Sequence, residues 1–145
     1  MTIQRMDHVG IVVDDLASAT AFFVELGLEL EGEMSLGADS VDRLVGLEGV
    51  QTDFAFVRTP DGHGGLELIK FRSPSSRGGD PHAPANTTGL RHITFAVDDI
   101  EEAVARLQGH GAELVGEVVS YENRYKLCYI RGPEGIIVEL AEKIG

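Results

Sequence analysis

The chain lacks several features that mark whole classes of protein. It has no tryptophan and a single cysteine, Cys128, which excludes an internal disulfide and any metal site built from several thiolates. No apolar run approaches the ~20 residues that cross a bilayer, and residues 1–10 contain no apolar segment of a secretory signal. We therefore expect a cytoplasmic protein with no membrane partner.

Basic residues are also scarce. Twelve Lys and Arg stand against 24 Asp and Glu, which gives a formal net charge of −12. Without a basic stripe the chain cannot neutralise phosphates, so no nucleic-acid partner is predicted. The 145 residues, 43% hydrophobic and 25% charged, are typical of one globular domain or of two joined half-domains.

An internal repeat is the strongest pattern in the sequence. Residues 8–33 align with residues 92–117 without a gap, and both segments open with histidine and contain Val-Asp-Asp. Identical pairs include His8/His92, Asp15/Asp99, Ala19/Ala103, Gly27/Gly111, Leu30/Leu114 and Glu33/Glu117. Such a density of matches indicates two copies of one supersecondary unit.

Each copy is predicted to fold as a β-α-β-β-β unit. A run of β-formers leads to Asp15 or Asp99, whose carboxylate can cap a helix, and Gly27 or Gly111 stands where a left-handed residue ends one. Further strands are predicted from Leu28 and Glu113, at 51–58 and 66–71, and at 126–131 and 136–141, with a helical turn within 37–49.

The predicted fold is therefore α+β, with two tandem βαβββ modules in a single domain, residues 1–145. The first module spans residues 1–72 and the second residues 90–145. Residues 73–89 between them are rich in Pro, Gly, Ser and Asn, a composition typical of an exposed linker.

Four ionisable residues occupy matched positions in the two copies. His8 and His92 open the first strand of each module, whereas Glu67 and Glu139 lie among apolar neighbours in the last strand. A single histidine or glutamate in a strand is usually structural or exposed, but both types recur here in both copies. Two imidazoles and two carboxylates form a donor set that suits Zn²⁺, Ni²⁺, Co²⁺, Mn²⁺ or Fe²⁺, so a metal site is predicted.

These motifs resemble the vicinal oxygen chelate superfamily. The resemblance is carried by the openings DHVGIVVDD and LRHITFAVDD and by the closings GGLELIKF and GPEGIIVELAE. It implies a cup-shaped, eight-stranded mixed sheet formed by the two modules. It also implies one divalent metal ion (Ni, Zn, Co or Mn) bound by His8, Glu67, His92 and Glu139, and a homodimer.

Within that superfamily, two His and two Glu are the ligand set of glyoxalase I-like enzymes. The resemblance therefore implies a lyase or isomerase, similar to lactoylglutathione lyase, that transfers a proton on a small substrate with vicinal oxygens. A ligating glutamate serves as the base in such enzymes. By position Glu139 is the first choice for that role, and Glu67 is the second.

Three alternatives remain open from the sequence: an Fe-dependent extradiol-type dioxygenase, an enzyme similar to methylmalonyl-CoA epimerase, and a non-catalytic drug-binding protein of the bleomycin resistance type.

The segment before the last hairpin contains candidate substrate contacts: Tyr121, Arg124 and Tyr125. Cys128 alternates within a predicted strand, which favours a small core residue over a nucleophile.

Overall fold

The structure is a computed structural model that describes residues 2–145. The chain divides into two compact units, the first ending at Gly78 and the second beginning at Gly79. This boundary lies inside the predicted linker 73–89, and each unit contains one copy of the repeat. Among the described residues, no helix has the length and apolar character needed to cross a membrane.

The first unit is a four-stranded sheet with two helices. Its elements are β1 (Val9–Val12), α1 (Leu16–Leu26), β2 (Glu29–Leu36), α2 (Asp39–Val45), β3 (Gln51–Arg58) and β4 (Gly65–Ser73). The strand order is β1-β4-β3-β2. β1 is parallel to β4, and the other neighbours are antiparallel. The parallel pair requires a crossover, which α1 begins.

Local sequence signals define the ends of α1. Asp15 caps the helix, since its side chain accepts a hydrogen bond from the Ser18 backbone N–H at 3.0 Å. Gly27 ends it with a φ of 127°, a backbone conformation that favours glycine. The helix buries Ala19, Phe22 and Phe23 and packs against β3 and β4, which creates the core of the first unit.

The second unit repeats this plan. Its elements are β5 (His92–Val97), α3 (Ile100–Gln108), β6 (Glu113–Leu114), β7 (Val119–Tyr121), β8 (Tyr125–Arg131) and β9 (Ile137–Lys143). β5 is parallel to β9, and β8 is antiparallel to β9, β6 and β7. The predicted α+β class is thus confirmed, as is the βαβββ order of the first copy.

One strand position differs from the prediction. Each module is predicted to have four strands, but the second unit has two short strands, β6 and β7, where the first has β2. The break follows Leu114, and β2 has a bulge at the matching place, between Leu30 and Gly32. Glycine at this position in both copies (Gly32, Gly116) weakens the strand. The described chain therefore has nine strands rather than eight.

Two residues of the predicted linker, Pro81 and Ala83, are held against the second unit. Arg131 donates hydrogen bonds to the backbone oxygens of Pro81 and Ala83, at 3.2 and 3.0 Å, and Ala83 is buried. Gly135, with a φ of 87°, lies so close to Pro81 that a Cβ would meet its carbonyl oxygen at 2.4 Å. The predicted exposure therefore fails at Ala83, because Arg131 supplies donors that the composition of the linker does not reveal, whereas residues 84–89 are exposed as predicted.

The packing of the first unit predicts how two Leu→Ala substitutions, one in the core and one on the surface, change the free energy of unfolding. Leu68 is fully buried on β4, whereas Leu44 on α2 is 81% exposed. Leu68→Ala should lower the free energy of unfolding by about 2–5 kcal/mol through lost burial and a cavity. Leu44→Ala should change it by less than about 0.5 kcal/mol. Urea unfolding followed by circular dichroism measures both, and equal effects would contradict this packing.

Candidate functional site

The first unit brings together one predicted pair of metal ligands, His8 and Glu67. β1 runs parallel to β4 with Gly10 opposite Glu67, which sets His8, just before β1, beside the glutamate. The Nε2 atom of His8 lies 3.8 Å from Oε2 of Glu67. The side chains are 35% and 29% exposed, so both remain accessible to a ligand.

Asp7 orients the imidazole of His8. Its Oδ2 atom lies 2.7 Å from Nδ1 of His8, and this hydrogen bond is the main cause that lowers the pKa of the Asp7 carboxyl. A carboxylate on one ring nitrogen leaves the other free to bind a metal. The ring also meets Phe56 edge to face, with centroids 5.3 Å apart. Together these contacts direct Nε2 of His8 towards Glu67.

The second unit brings together the other pair, His92 and Glu139. Their closest atoms, Nε2 and Oε1, are 3.6 Å apart, and the Glu139 side chain is 20% exposed. Thr94 lies opposite Glu139 in the parallel β5–β9 ladder, and its hydroxyl donates to Oε1 of Glu139 at 2.6 Å. The His92 ring stacks at a tilt on Tyr129, with centroids 4.8 Å apart.

The two pairs share a backbone plan but differ in what supports them. In each unit an aromatic residue stands opposite the glutamate on the neighbouring antiparallel strand, Phe56 in the first and Tyr129 in the second. The residue opposite the glutamate on the parallel strand is Gly10 in the first unit, which offers no hydroxyl, and Thr94 in the second. The histidine of the first unit is hydrogen-bonded to the carboxylate of the residue before it, Asp7. The residue before His92 in the second unit is Arg91, which has no carboxylate.

Sequence reasoning missed Asp7 and Thr94. Asp7 adjoins His8, and a carboxylate beside a predicted histidine ligand is a recognisable orienting group. Thr94 is two residues after His92, and alternate residues of a strand share a face. Both signals were present in the sequence, but only the register of β5 against β9 shows that Thr94 meets Glu139.

The donor atoms of each pair fit a metal ion. Two ligands that each lie about 2.0–2.2 Å from one Zn²⁺ ion are roughly 3–3.5 Å apart. The observed separations of 3.8 and 3.6 Å need only a small side-chain movement to reach that range. Each unit thus supplies one imidazole nitrogen and one carboxylate oxygen, a donor set that suits Zn²⁺, Ni²⁺, Co²⁺ or Mn²⁺. That both pairs bind the same ion stays a prediction.

A pocket of about 310 Å³ in the second unit lies beside Glu139. Its walls are formed by the β6–β7 segment and by the β8 and β9 strands: Val115, Gly116, Glu117, Val119, Leu127, Cys128, Tyr129 and Glu139. Tyr129, which stacks on His92, belongs to the lining. The pocket therefore adjoins the second histidine–glutamate pair. Its volume is large enough to hold part of a metabolite-sized ligand.

The predicted substrate contacts lie on the β7–β8 hairpin. Tyr121 ends β7 opposite Tyr125 at the start of β8, and both rings are exposed. The turn between them contains Arg124, whose backbone N–H donates to the Tyr121 oxygen at 3.0 Å. None of the three lines the pocket beside Glu139, so their contact with substrate stays a prediction.

A separate acidic cluster of the second unit has a structural explanation. Asp99, Glu101 and Glu142 place ligand atoms within 4.8 Å of one another. Asp99 caps α3, and Glu142 accepts a hydrogen bond from the Ile100 backbone N–H at 2.8 Å. Glu101 pairs with Lys126 at 2.9 Å. These contacts show that the cluster stabilises the N-terminus of α3.

The geometry agrees with comparisons to known proteins. The family model described as Glyoxalase/Bleomycin resistance protein/Dioxygenase superfamily matches residues 5–140. The chain belongs to this superfamily, which is the one that the sequence motifs resemble.

Relatives of similar length match along almost the whole chain. A crystal structure of a glyoxalase family protein from Bacillus cereus is 48% identical, with a TM-score of 0.96, over 100% of this chain and 97% of that one. The uncharacterized protein YaeR of Escherichia coli is 29% identical over 97% of this chain and 98% of its own. TnmS3, an antibiotic binding protein from Streptomyces sp. CB03234, is 20% identical with a TM-score of 0.65, over 99% and 98% of the two chains, and shares the fold.

The burial of Cys128 predicts how fast its thiol reacts with a labelling reagent. The residue is 3% exposed, and burial raises the pKa of its thiol above the ordinary value. We expect native protein to resist labelling by dithionitrobenzoate at pH 8, because the thiolate is the reactive form. Labelling should become rapid once urea unfolds the chain. Rapid labelling of folded protein would contradict the burial of Cys128 and restore it as a candidate nucleophile.

Proposed function

We propose that this protein is a divalent-metal-dependent enzyme of the glyoxalase I-like type, which transfers a proton on a small substrate with vicinal oxygens. The observation that carries the proposal is the repeated histidine–glutamate pair, which occupies the same register in both units with donor atoms 3.8 and 3.6 Å apart. His8, Glu67, His92 and Glu139 would hold the ion. When bound, it would act as a Lewis acid on the substrate oxygens.

Glu139 is the residue that we assign as the general base. It lines the pocket beside the metal-binding pair, so a substrate whose substituent enters that pocket presents its reacting carbon to this carboxylate. Glu139 removes a proton from that carbon and returns one to the neighbouring carbon, which isomerises the substrate without an external oxidant or reductant. Glu67 serves as a ligand in this scheme.

Thr94 and Asp7 act as positioning residues in this scheme. The Thr94 hydroxyl holds Oε1 of Glu139, the same oxygen that lies 3.6 Å from Nε2 of His92, and so fixes the carboxylate beside the imidazole. Asp7 holds Nδ1 of His8 and so presents Nε2. Such supporting hydrogen bonds reduce the number of orientations that a ligand samples. We also expect a homodimer, as the family resemblance implies.

Metal content tests the proposal directly. Protein purified without chelators or an affinity tag should contain about one Ni, Zn, Co or Mn ion per chain, as this donor set favours. Elemental mass spectrometry should show that His8→Ala and Glu139→Gln each lose the ion. The matched exposed controls, His63→Ala and Glu113→Gln, should retain it.

Other metal contents have defined meanings. Iron as the resident metal would favour the dioxygenase chemistry, which catechol turnover under oxygen would then test. If the protein binds no metal even after reconstitution, the enzyme proposal fails.

The Thr94 hydrogen bond predicts a kinetic effect. Thr94→Val should lower kcat about tenfold, with KM and metal content little changed, because the substitution frees Glu139 without removing a ligand. Thr94→Ser keeps a hydroxyl and should restore most of the rate. Turnover of 2-oxoaldehyde–thiol adducts is the first assay. A serine variant as slow as the valine variant would contradict the positioning role.

A second candidate function is the non-catalytic binding of a small molecule. The apolar pocket of the second unit favours it, since such a pocket needs no metal to bind a ligand. A non-catalytic binding function predicts a ligand affinity that is independent of metal and unchanged by Glu139→Gln. The enzyme proposal expects that substitution to stop turnover while the protein stays folded.

A further inference from the structure

The lining of the pocket beside Glu139 is apolar and lacks positive charge. Val115, Val119, Leu127 and the Tyr129 ring provide hydrocarbon, while Glu117 and Glu139 are the two charged side chains of the lining. In the proposed enzyme Glu139 is committed to the metal and the proton. Glu117 is then the remaining charged residue of the lining.

The two basic residues of β8 that flank its lining residues are engaged elsewhere. Lys126 on β8 pairs with Glu101 at 2.9 Å and accordingly has a raised pKa. Arg131, at the end of the same strand, donates to the backbone oxygens of Pro81, Ala83 and Gly135. Since these contacts hold both side chains, neither supplies a counter-charge to the pocket.

The charge and the lining together select against anions. A carboxylate or sulfonate in this pocket would lose hydration beside Glu117, and no side chain of the lining supplies a positive charge. An uncharged alkyl or aryl group would instead gain from leaving water in proportion to its apolar area. A pocket of about 310 Å³ admits a group of roughly aryl size, at the lower end of the range for ligand sites.

We propose that this pocket binds an uncharged, apolar substituent of the substrate, so that the protein prefers small neutral alkyl or aryl compounds over adducts of a carboxylate-bearing carrier. The assignment of the bound molecule as a substrate rests on the proposed function. The charge preference of the pocket does not rest on the proposed function, because this preference follows from the lining residues.

A matched pair of fluorescent probes tests the preference without turnover. N-phenyl-1-naphthylamine is neutral, whereas 1-anilinonaphthalene-8-sulfonate has a similar arylamine frame with a sulfonate. Titration of the purified full chain, after removal of any bound metal that could itself attract the sulfonate, should give a Kd at least about tenfold lower for the neutral probe, because burying an unpaired anion is costly. Equal affinity, or tighter binding of the sulfonate, would overturn the proposal.

Two substitutions and one control locate the effect. Glu117 and Glu113 are both exposed, but only Glu117 lines the pocket. Glu117→Lys should reduce the preference for the neutral probe at least several-fold, whereas Glu113→Lys makes the same charge change outside the lining and should leave it unaltered. Val119→Trp fills the pocket and should weaken the binding of the neutral probe. If neither Glu117→Lys nor Val119→Trp has an effect, the probe binds elsewhere and the proposal fails.

Metal analysis of the same preparations, made before the ion is removed for titration, separates this inference from the proposed function. Bound metal with no preference between the probes would overturn the pocket assignment and leave the enzyme proposal intact. A clear preference with no metal, before or after reconstitution, would overturn the enzyme proposal and leave a binding site for neutral apolar molecules.

Discussion

The pairing of the first and last strands of each unit is the constraint on which the site depends. β1 lies parallel to β4 and β5 parallel to β9, so residues far apart in sequence stand side by side in a fixed register. A shift by one residue would turn each glutamate to the other face of its sheet. The helices α1 and α3 make the parallel pairing feasible because they carry the chain back across the sheet.

The two units use one backbone plan with different supporting side chains. Duplicated strands supply the same histidine–glutamate geometry twice, within 0.2 Å (3.8 against 3.6 Å). The surroundings then diverge: Asp7 holds the histidine of the first unit, and Thr94 holds the glutamate of the second. In the proposed ligand set, such divergence would allow the two carboxylates to take different roles, one structural and one chemical.

Predictions from the sequence succeeded where short-range chemistry decides the structure. The caps at Asp15 and Asp99 and the left-handed Gly27 follow from local hydrogen bonding and sterics. β3 was predicted with its observed bounds, and α2 lies within the predicted turn 37–49. The break between β6 and β7 was missed, since a strand weakened by one glycine either bulges or ends, depending on the partner strand.

The sequence by itself determined the duplicated βαβββ plan, the superfamily and the identity of the four candidate ligands, because periodicity, caps and repeated residue types are local properties of the chain. The tertiary structure decided what surrounds those ligands: the Thr94–Glu139 contact, the apolar pocket lined by Val115 and Leu127, and the seating of residues 80–83 by Arg131. These depend on strand register and on side chains distant in sequence, and no local pattern specifies which of them meet.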